Sequence, residues 1–231
     1  MKKLGLIGGS GPESTLVYYK EINMRINEMS NETCFPEFTI ESINLYKISE
    51  YRMADDMEGM KNYLLKAIQN LAAAGAQIGA LTAGTLHMVY DDLAKESSIP
   101  LISIPEIVSR VAEERGYHKV GILGTDVTMK KDFMKKPFRM KGIEVVAPTE
   151  EEMELVNHRI FTELENAIIK PSTEKELIDI IRRMKEEDGI EAVILGCTEL
   201  PLILNQMNSP VDVLDIMRIH IEELTKIMMK D

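Results

Sequence analysis

Two short stretches of this 231-residue chain return, in the same order, about half a chain later. Lys3-Leu4-Gly5-Leu6-Ile7-Gly8 is matched by Lys119-Val120-Gly121-Ile122-Leu123-Gly124. Gly75-Ala76-Gln77-Ile78-Gly79-Ala80-Leu81-Thr82-Ala83 is matched by Gly189-Ile190-Glu191-Ala192-Val193-Ile194-Leu195-Gly196-Cys197. From Lys3 to Lys119 the offset is 116 residues, and from Gly75 to Gly189 it is 114. Two matches sharing almost one offset point to two halves of one plan. In that alignment Ala83 falls where Cys197 stands.

Each matched stretch is a short apolar run closed by small residues, the signature of a buried strand. Further strands are expected at residues 38–44, 101–104 and 144–146. Helical spacing is expected over residues 14–29, 57–74, 89–95, 107–115, 130–134, 151–169, 173–187 and 211–229. Gly75 closes the second of these helices, a polar loop carries Tyr51 and Arg52, and Pro137 ends or bends the helix at 130–134. Strands alternating with helices predict an α/β fold: two similar domains, each a parallel sheet with helices on both faces. Ligands of such sheets sit at the C-terminal ends of the strands. The turns that follow residues 7, 81, 123 and 195 all lie there, and if the halves face each other the four turns surround one cleft.

Composition narrows the function classes. A net charge of −11 argues against nucleic acid and anionic membranes as partners, because their binders concentrate positive charge. No apolar run reaches the roughly 18 residues of a membrane span. Two cysteines, Cys34 and Cys197, make no disulfide framework, so a cytoplasmic location with reduced thiols is expected. His87, His118, His158 and His220 share no metal-ligand spacing with acids or cysteines, and no metal is expected.

Four turns can carry chemistry. Gly8-Gly9-Ser10-Gly11-Pro12-Glu13-Ser14 is glycine-rich and opens a helix, either an anion cradle or a tight structural turn. It lacks the Gly-Lys-Ser/Thr of a phosphate loop and the third glycine of a dinucleotide site. Leu195-Gly196-Cys197-Thr198-Glu199-Leu200-Pro201 puts a thiol just past a buried strand, where backbone N–H groups are expected to lower its pKa. Thr82-Ala83-Gly84-Thr85-Leu86-His87 is its repeat partner, and His87 is either a proton donor or a cap on the next helix. Gly124-Thr125-Asp126 is the fourth. Cys34 precedes its strand and is expected to be structural.

Taken in order, these motifs resemble those of the cofactor-independent aspartate/glutamate racemase family. The resemblance spans the chain and rests on Gly8-Gly9-Ser10-Gly11-Pro12-Glu13-Ser14-Thr15 with Tyr18-Tyr19-Lys20-Glu21-Ile22-Asn23, on Gly84-Thr85-Leu86-His87, on Leu123-Gly124-Thr125 with Thr128-Met129, and on the Cys197 motif. It implies two pseudo-twofold-related α/β domains with the active site in the cleft between them. Its last helix returns to the first domain, giving residues 1–98 plus 208–231 and residues 99–207. It also implies no cofactor, a homodimer, and an amino acid or small carboxylate as substrate.

The resemblance further implies α-proton transfer between two cysteines on opposite faces of the substrate. Cys197 matches the second cysteine, whereas Ala83 and Gly84 replace the first cysteine and the asparagine after it. Thr82, Thr85, His87 or a water would then supply the missing proton, or the chemistry is one-sided. Ser10, Arg52, Gly84, Thr85, Leu86, Thr125, Thr198 and Glu199 would line the substrate, with Arg52 on its carboxylate. For acidic substrates the resemblance implies a second basic residue near residues 161–166, where this chain has Glu165. Two alternatives are a one-cysteine decarboxylase or lyase of a malonate-like acid, which needs no first cysteine, and a carboxylate-binding homologue with altered chemistry.

Overall fold

The computed structural model describes residues 1–230. The chain forms two compact units, Met1–Ile104 with the segment from His220 onward, and Pro105–Ile219.

The first unit begins with β1 (Leu4–Gly8), α1 (Pro12–Met29), β2 (Phe38–Ser42), α2 (Leu45–Met53) and α3 (Met57–Ala73). It continues through β3 (Ile78–Leu81), α4 (Tyr90–Glu96) and β4 (Leu101–Ile102). All four strands are parallel, in the order β2-β1-β3-β4. Every residue of β1 and β3 is buried, as unbroken apolar runs require. α3 buries Met60, Leu64, Ala67, Ile68 and Leu71, one helical stripe, into a core shared with Ile7, Leu81 and Leu86.

From α5 (Ile104–Glu114) the chain enters the second unit: β5 (Lys119–Leu123), α6 (Asp126–Lys130), α7 (Lys136–Met140), β6 (Glu144–Val146) and α8 (Glu150–Thr162). Then follow α9 (Pro171–Arg183), β7 (Ala192–Leu195), β8 (Asp212–Asp215) and α10 (Ile216–Met229). The order β6-β5-β7-β8, again all parallel, repeats the first sheet. Leu123, Met153, Val156, Ile160, Leu177, Ile181, Val193 and Leu195 belong to its core.

The repeat holds down to single hydrogen bonds. Leu4 pairs with Ile78 in one sheet, and Val120 with Ala192 in the other. Gln77 N–H reaches the Lys3 carbonyl at 2.8 Å, and Glu191 N–H the Lys119 carbonyl at 2.9 Å. Thr82 N–H reaches Ile7 at 3.1 Å, and Gly196 N–H reaches Leu123 at 2.7 Å. Ala83 and Cys197 each follow directly.

Several boundaries differ from expectation. Tyr51 and Arg52 lie in α2, not in a loop; Asn44 caps that helix by accepting the Tyr46 N–H at 2.9 Å. Only Ile48 of α2 is buried, so the helix has almost no apolar periodicity to read. Residues 131–134, expected to be helical, form a turn between two short helices, α6 and α7, and Pro137 sits in the first turn of α7, where a missing N–H costs nothing. Residues 211–229 are not one helix, because Asp212-Val213-Leu214-Asp215 forms β8 on β7. That pairing keeps residues 208–219 with the second sheet, and residues 99–104 stay with the first unit because Leu101 and Ile102 pair with β3.

Candidate active site

β7 ends at Leu195, and Gly196 turns the chain against the second sheet. A Cβ on Gly196 would lie 2.7 Å from Thr128 Cγ2 and 3.0 Å from the Leu123 carbonyl, so the close approach needs glycine. Cys197 emerges directly beyond the strand. Its Sγ donates to Glu199 Oε2 at 2.8 Å, and Thr198 Oγ1 lies 2.9 Å from both Glu199 oxygens. The carboxylate is thus gripped from its own turn.

This arrangement corrects the expectation of a lowered thiol pKa. Burial pushes the Cys197 thiol well above its ordinary range, and the Glu199 charge and hydrogen bond push the same way. The Glu199 backbone N–H pulls down but is outweighed. Beyond it lies one three-residue helical turn, Leu200–Leu202, too short to supply a helix dipole.

A second carboxylate belongs to this neighbourhood. Leu164 and Leu200 are buried in one core cluster, with Cys197 packed against it. Glu165 follows Leu164 as Glu199 precedes Leu200. Desolvation and the Glu199 charge raise the Glu165 pKa, and Glu165 in turn adds to the upward push on Cys197. Glu165 carries no hydrogen bond or ion pair to the described residues.

The backbone under Glu165 is fixed. Buried Glu163 accepts from Thr173 Oγ1 (2.6 Å), Arg159 (2.7 Å) and Lys170 (3.1 Å), which hold its carboxyl below the usual range, Thr173 foremost. Asn166 and Ile168 N–H groups bond the Glu163 carbonyl at 3.0 and 2.9 Å. Arg159 is also shared with Glu176. The basic residues near this turn are therefore already paired.

At the first sheet the candidates divide. Thr82 is fully buried and its hydroxyl donates to the Ile7 carbonyl at 3.0 Å. His87 is buried, with Nδ1 3.2 Å from the Ala83 and Gly84 carbonyls and Nε2 accepting the Ile104 N–H at 3.1 Å. Burial lowers its pKa to about 4, so it is a neutral residue holding the first N–H of α5. Neither group has a proton free to give, which corrects both proton-donor assignments. Leu86 is wholly buried in the core, so its side chain does not face a ligand.

Others remain available. Ser10, after β1, and Thr85, in the short helix that opens at Gly84, make no hydrogen bond with the described residues through their hydroxyls. Arg52, half-buried in the last turn of α2, has no carboxylate partner among them. Thr125, before α6, shares a 3.1 Å contact with Thr128. In the glycine turn, Ser14 and Thr15 hydroxyls turn inward to the Gly11 carbonyl (2.8 and 3.1 Å), and Thr15 Oγ1 accepts the Gly9 N–H at 2.9 Å. That turn is mostly self-satisfied rather than an open anion cradle. Cys34 is tied through its backbone to Ser30 and Asn27, before β2.

The described residues hold no cluster of three or more His, Cys, Asp or Glu side chains able to bind a metal. No described helix is long and apolar enough to cross a membrane.

The family profile described as Asp/Glu/Hydantoin racemase matches residues 7–224. The chain belongs to this family. Among its relatives is the broad specificity amino-acid racemase RacX of Bacillus subtilis (strain 168), 23% identical over 217 residues covering 92% of each chain. An aspartate racemase homologue from Pyrococcus horikoshii OT3 superposes with a TM-score of 0.89, at 40% identity and full coverage of both chains. The Picrophilus torridus aspartate racemase shares the fold at 18% identity, with a TM-score of 0.76 over 100% of this chain and 96% of that one. Family membership accounts for the doubled α/β plan.

Proposed function

We propose that the chain is a cofactor-independent amino-acid isomerase of the racemase type, with Cys197 as its acid/base. The observation that carries this reading is the 2.8 Å contact between Cys197 Sγ and Glu199 Oε2. Moving the thiol proton to Glu199 yields a thiolate beside a neutral carboxyl. The thiolate then takes the substrate α-proton, leaving a carbanion, and returns it or a solvent-derived proton. Thr198, already on the same carboxylate, steadies Glu199 in both states. The family's racemases, RacX among them, support the reaction class.

Donors without an internal partner suit the substrate carboxylate. Ser10, Thr85 and the Arg52 guanidinium, which has no carboxylate partner among the described residues, are assigned this role, since a carboxylate prefers charged or free hydroxyl donors. Gly84 would leave space for backbone approach, and Thr125 and Thr198 would contribute further hydroxyls. A small-molecule substrate in a cytoplasmic homodimer completes the reading.

One observation favours a second reading. Ala83 holds the place equivalent to Cys197, and neither Thr82 nor His87 can supply its proton. Proton return from one face only, as in decarboxylation of a malonate-like acid, needs Cys197 alone. Incubating purified protein with single-enantiomer amino acids in deuterated water decides between them. Deuterium uptake with inversion supports racemisation, whereas uptake with retention, or carbon dioxide release from a malonate panel, supports single-face chemistry. Uptake that persists unchanged in Cys197→Ala sinks both.

A further inference from the structure

The stretch from Lys130 to Lys141 carries six lysines and arginines against one acid, Asp132, in a chain whose net charge is −11. Several of these cations are answered within the protein. Lys130 pairs with Asp126 and Glu150, and Lys141 with Glu113. Arg139 takes Asp132 through both terminal nitrogens, at 2.7 and 2.8 Å. Lys135 is different. Its side chain is half-buried, yet its ammonium makes no hydrogen bond or ion pair with the described residues. Loss of solvent lowers its pKa, and the charge of Asp132, already held by Arg139, offsets this only in part.

Lys135 borders a cavity of about 380 Å³, whose other walls are Arg139, Gly142, Ile143, Glu144 and Val145. Glu144 begins β6 and pairs with Lys119, the first residue of β5, so the cavity lies at the N-terminal edge of this sheet. Cys197 follows the end of β7, at the opposite edge. The wall is anchored, because Met134, Phe138 and Ile143 are buried. Arg139 N–H bonds the Lys135 carbonyl, Gly142 N–H the Arg139 carbonyl and Ile143 N–H the Phe138 carbonyl, each at 3.0 Å. Ile143, Val145 and the lysine and arginine stems supply apolar surface. The one acid in the wall, Glu144, is paired with Lys119 at 3.1 Å.

We propose that this cavity binds a small organic anion, its carboxylate or phosphate head on Lys135 and its apolar body against Ile143 and Val145. The head supplies the counter-charge that the protein leaves out, and Arg139 keeps donors beyond the two spent on Asp132. The volume falls in the range of small-molecule sites. A neutral or cationic ligand would leave the half-buried ammonium unanswered. The site is independent of the reading of Cys197.

The test is an NMR titration of the full chain with phenyl phosphate and with hexanoate, beside inorganic phosphate and acetate as bare heads. Saturable shifts of the amides of residues 135–145 are expected, with a Kd of about 1 mM for the organic anion. Its bare head is expected to bind at least about tenfold more weakly, for want of apolar burial. The tighter of phenyl phosphate and hexanoate identifies the head. Lys135→Gln is expected to weaken binding about tenfold. Lys131→Gln removes the same charge from an exposed neighbour outside the cavity wall and is expected to weaken it less than about twofold. Neither change touches the buried anchors, so both variants are expected to melt with the wild type. No saturable shift, equal weakening by the two variants, or bare heads binding as tightly as the organic anions overturns the proposal.

Discussion

Thr82 donates both its backbone N–H and its hydroxyl to the carbonyl oxygen of Ile7, at 3.1 and 3.0 Å. β3 is tied to β1 one residue beyond their last paired position, Ile7 with Leu81. Ala83 is thereby held at the strand end as firmly as Cys197 is held by Gly196 on Leu123. A thiol at position 83 would stand on backbone already in place. Ala83→Cys is therefore expected to raise the ratio of inverted product to exchanged substrate by about tenfold or more, the usual scale of a positioned acid or base. Chiral chromatography beside proton NMR measures both. An unchanged ratio would show that the equivalence of positions 83 and 197 has no catalytic meaning.

How far the sequence spoke depended on whether a feature was local and apolar. The matched stretches around Leu4 and Val120, and around Ile78 and Ala192, fall in the same register of two identically ordered sheets. Buried parallel strands are written as unbroken apolar runs, which is why they were legible. α2 was not, because a helix with one buried residue leaves no periodic trace. β8 was not, because Asp212-Val213-Leu214-Asp215 is short, half polar, and continuous with the helix that follows. The Cys197 thiol shifts opposite to what its position promises: the turn offers backbone donors, but burial and then Glu199 decide it. Likewise the types of Thr82 and His87 suggested chemistry, while their partners, Ile7, Ala83, Gly84 and Ile104, are backbone atoms no motif names.

The Glu199 carboxylate holds the thiol proton in place, and removing its charge has a signed consequence. Alkylation of Cys197 by iodoacetamide requires the thiolate. In a Cys34→Ala background the rate is expected to rise with pH only toward the alkaline end, since the thiol pKa is raised. In Glu199→Gln the charge repulsion is gone and the midpoint is expected to move to lower pH, while turnover falls for want of the proton acceptor. A midpoint that stays or rises would mean that burial alone sets the thiol.

Gly9 separates backbone strain from crowding. Its φ is +86°, and a Cβ there would lie 2.4 Å from the Ile43 carbonyl oxygen and 2.7 Å from Ser42 Oγ. Gly116 has a φ of +76° with nothing within 4 Å of its virtual Cβ. Gly116→Ala is expected to cost about 1–2 kcal/mol, the left-handed backbone term alone. Gly9→Ala is expected to cost clearly more, because Ile43 is held by its own N–H on the Gly8 carbonyl at 2.9 Å and cannot retreat freely. Urea unfolding of the two variants side by side checks the ranking, and equal losses would contradict it.

His87 gives the fold a pH limit of known sign. Its folded pKa, lowered to about 4 by burial, lies below the ordinary 6.5, so between those values the unfolded chain binds a proton that the folded chain does not. Stability from the neutral ring is complete above about pH 6.5 and is lost as pH falls toward 4, a difference on the order of 3 kcal/mol. His220, also buried and lowered to about 3, with Nδ1 2.7 Å from the Tyr18 hydroxyl, adds a loss of the same sign. Urea unfolding is expected to show falling stability from pH 7 to 4.5. His87→Gln, which keeps a donor and an acceptor at that position but cannot titrate, is expected to be weaker at pH 7 and to have a shallower pH slope. An equal slope in wild type and His87→Gln would remove His87 as a source of the acid sensitivity.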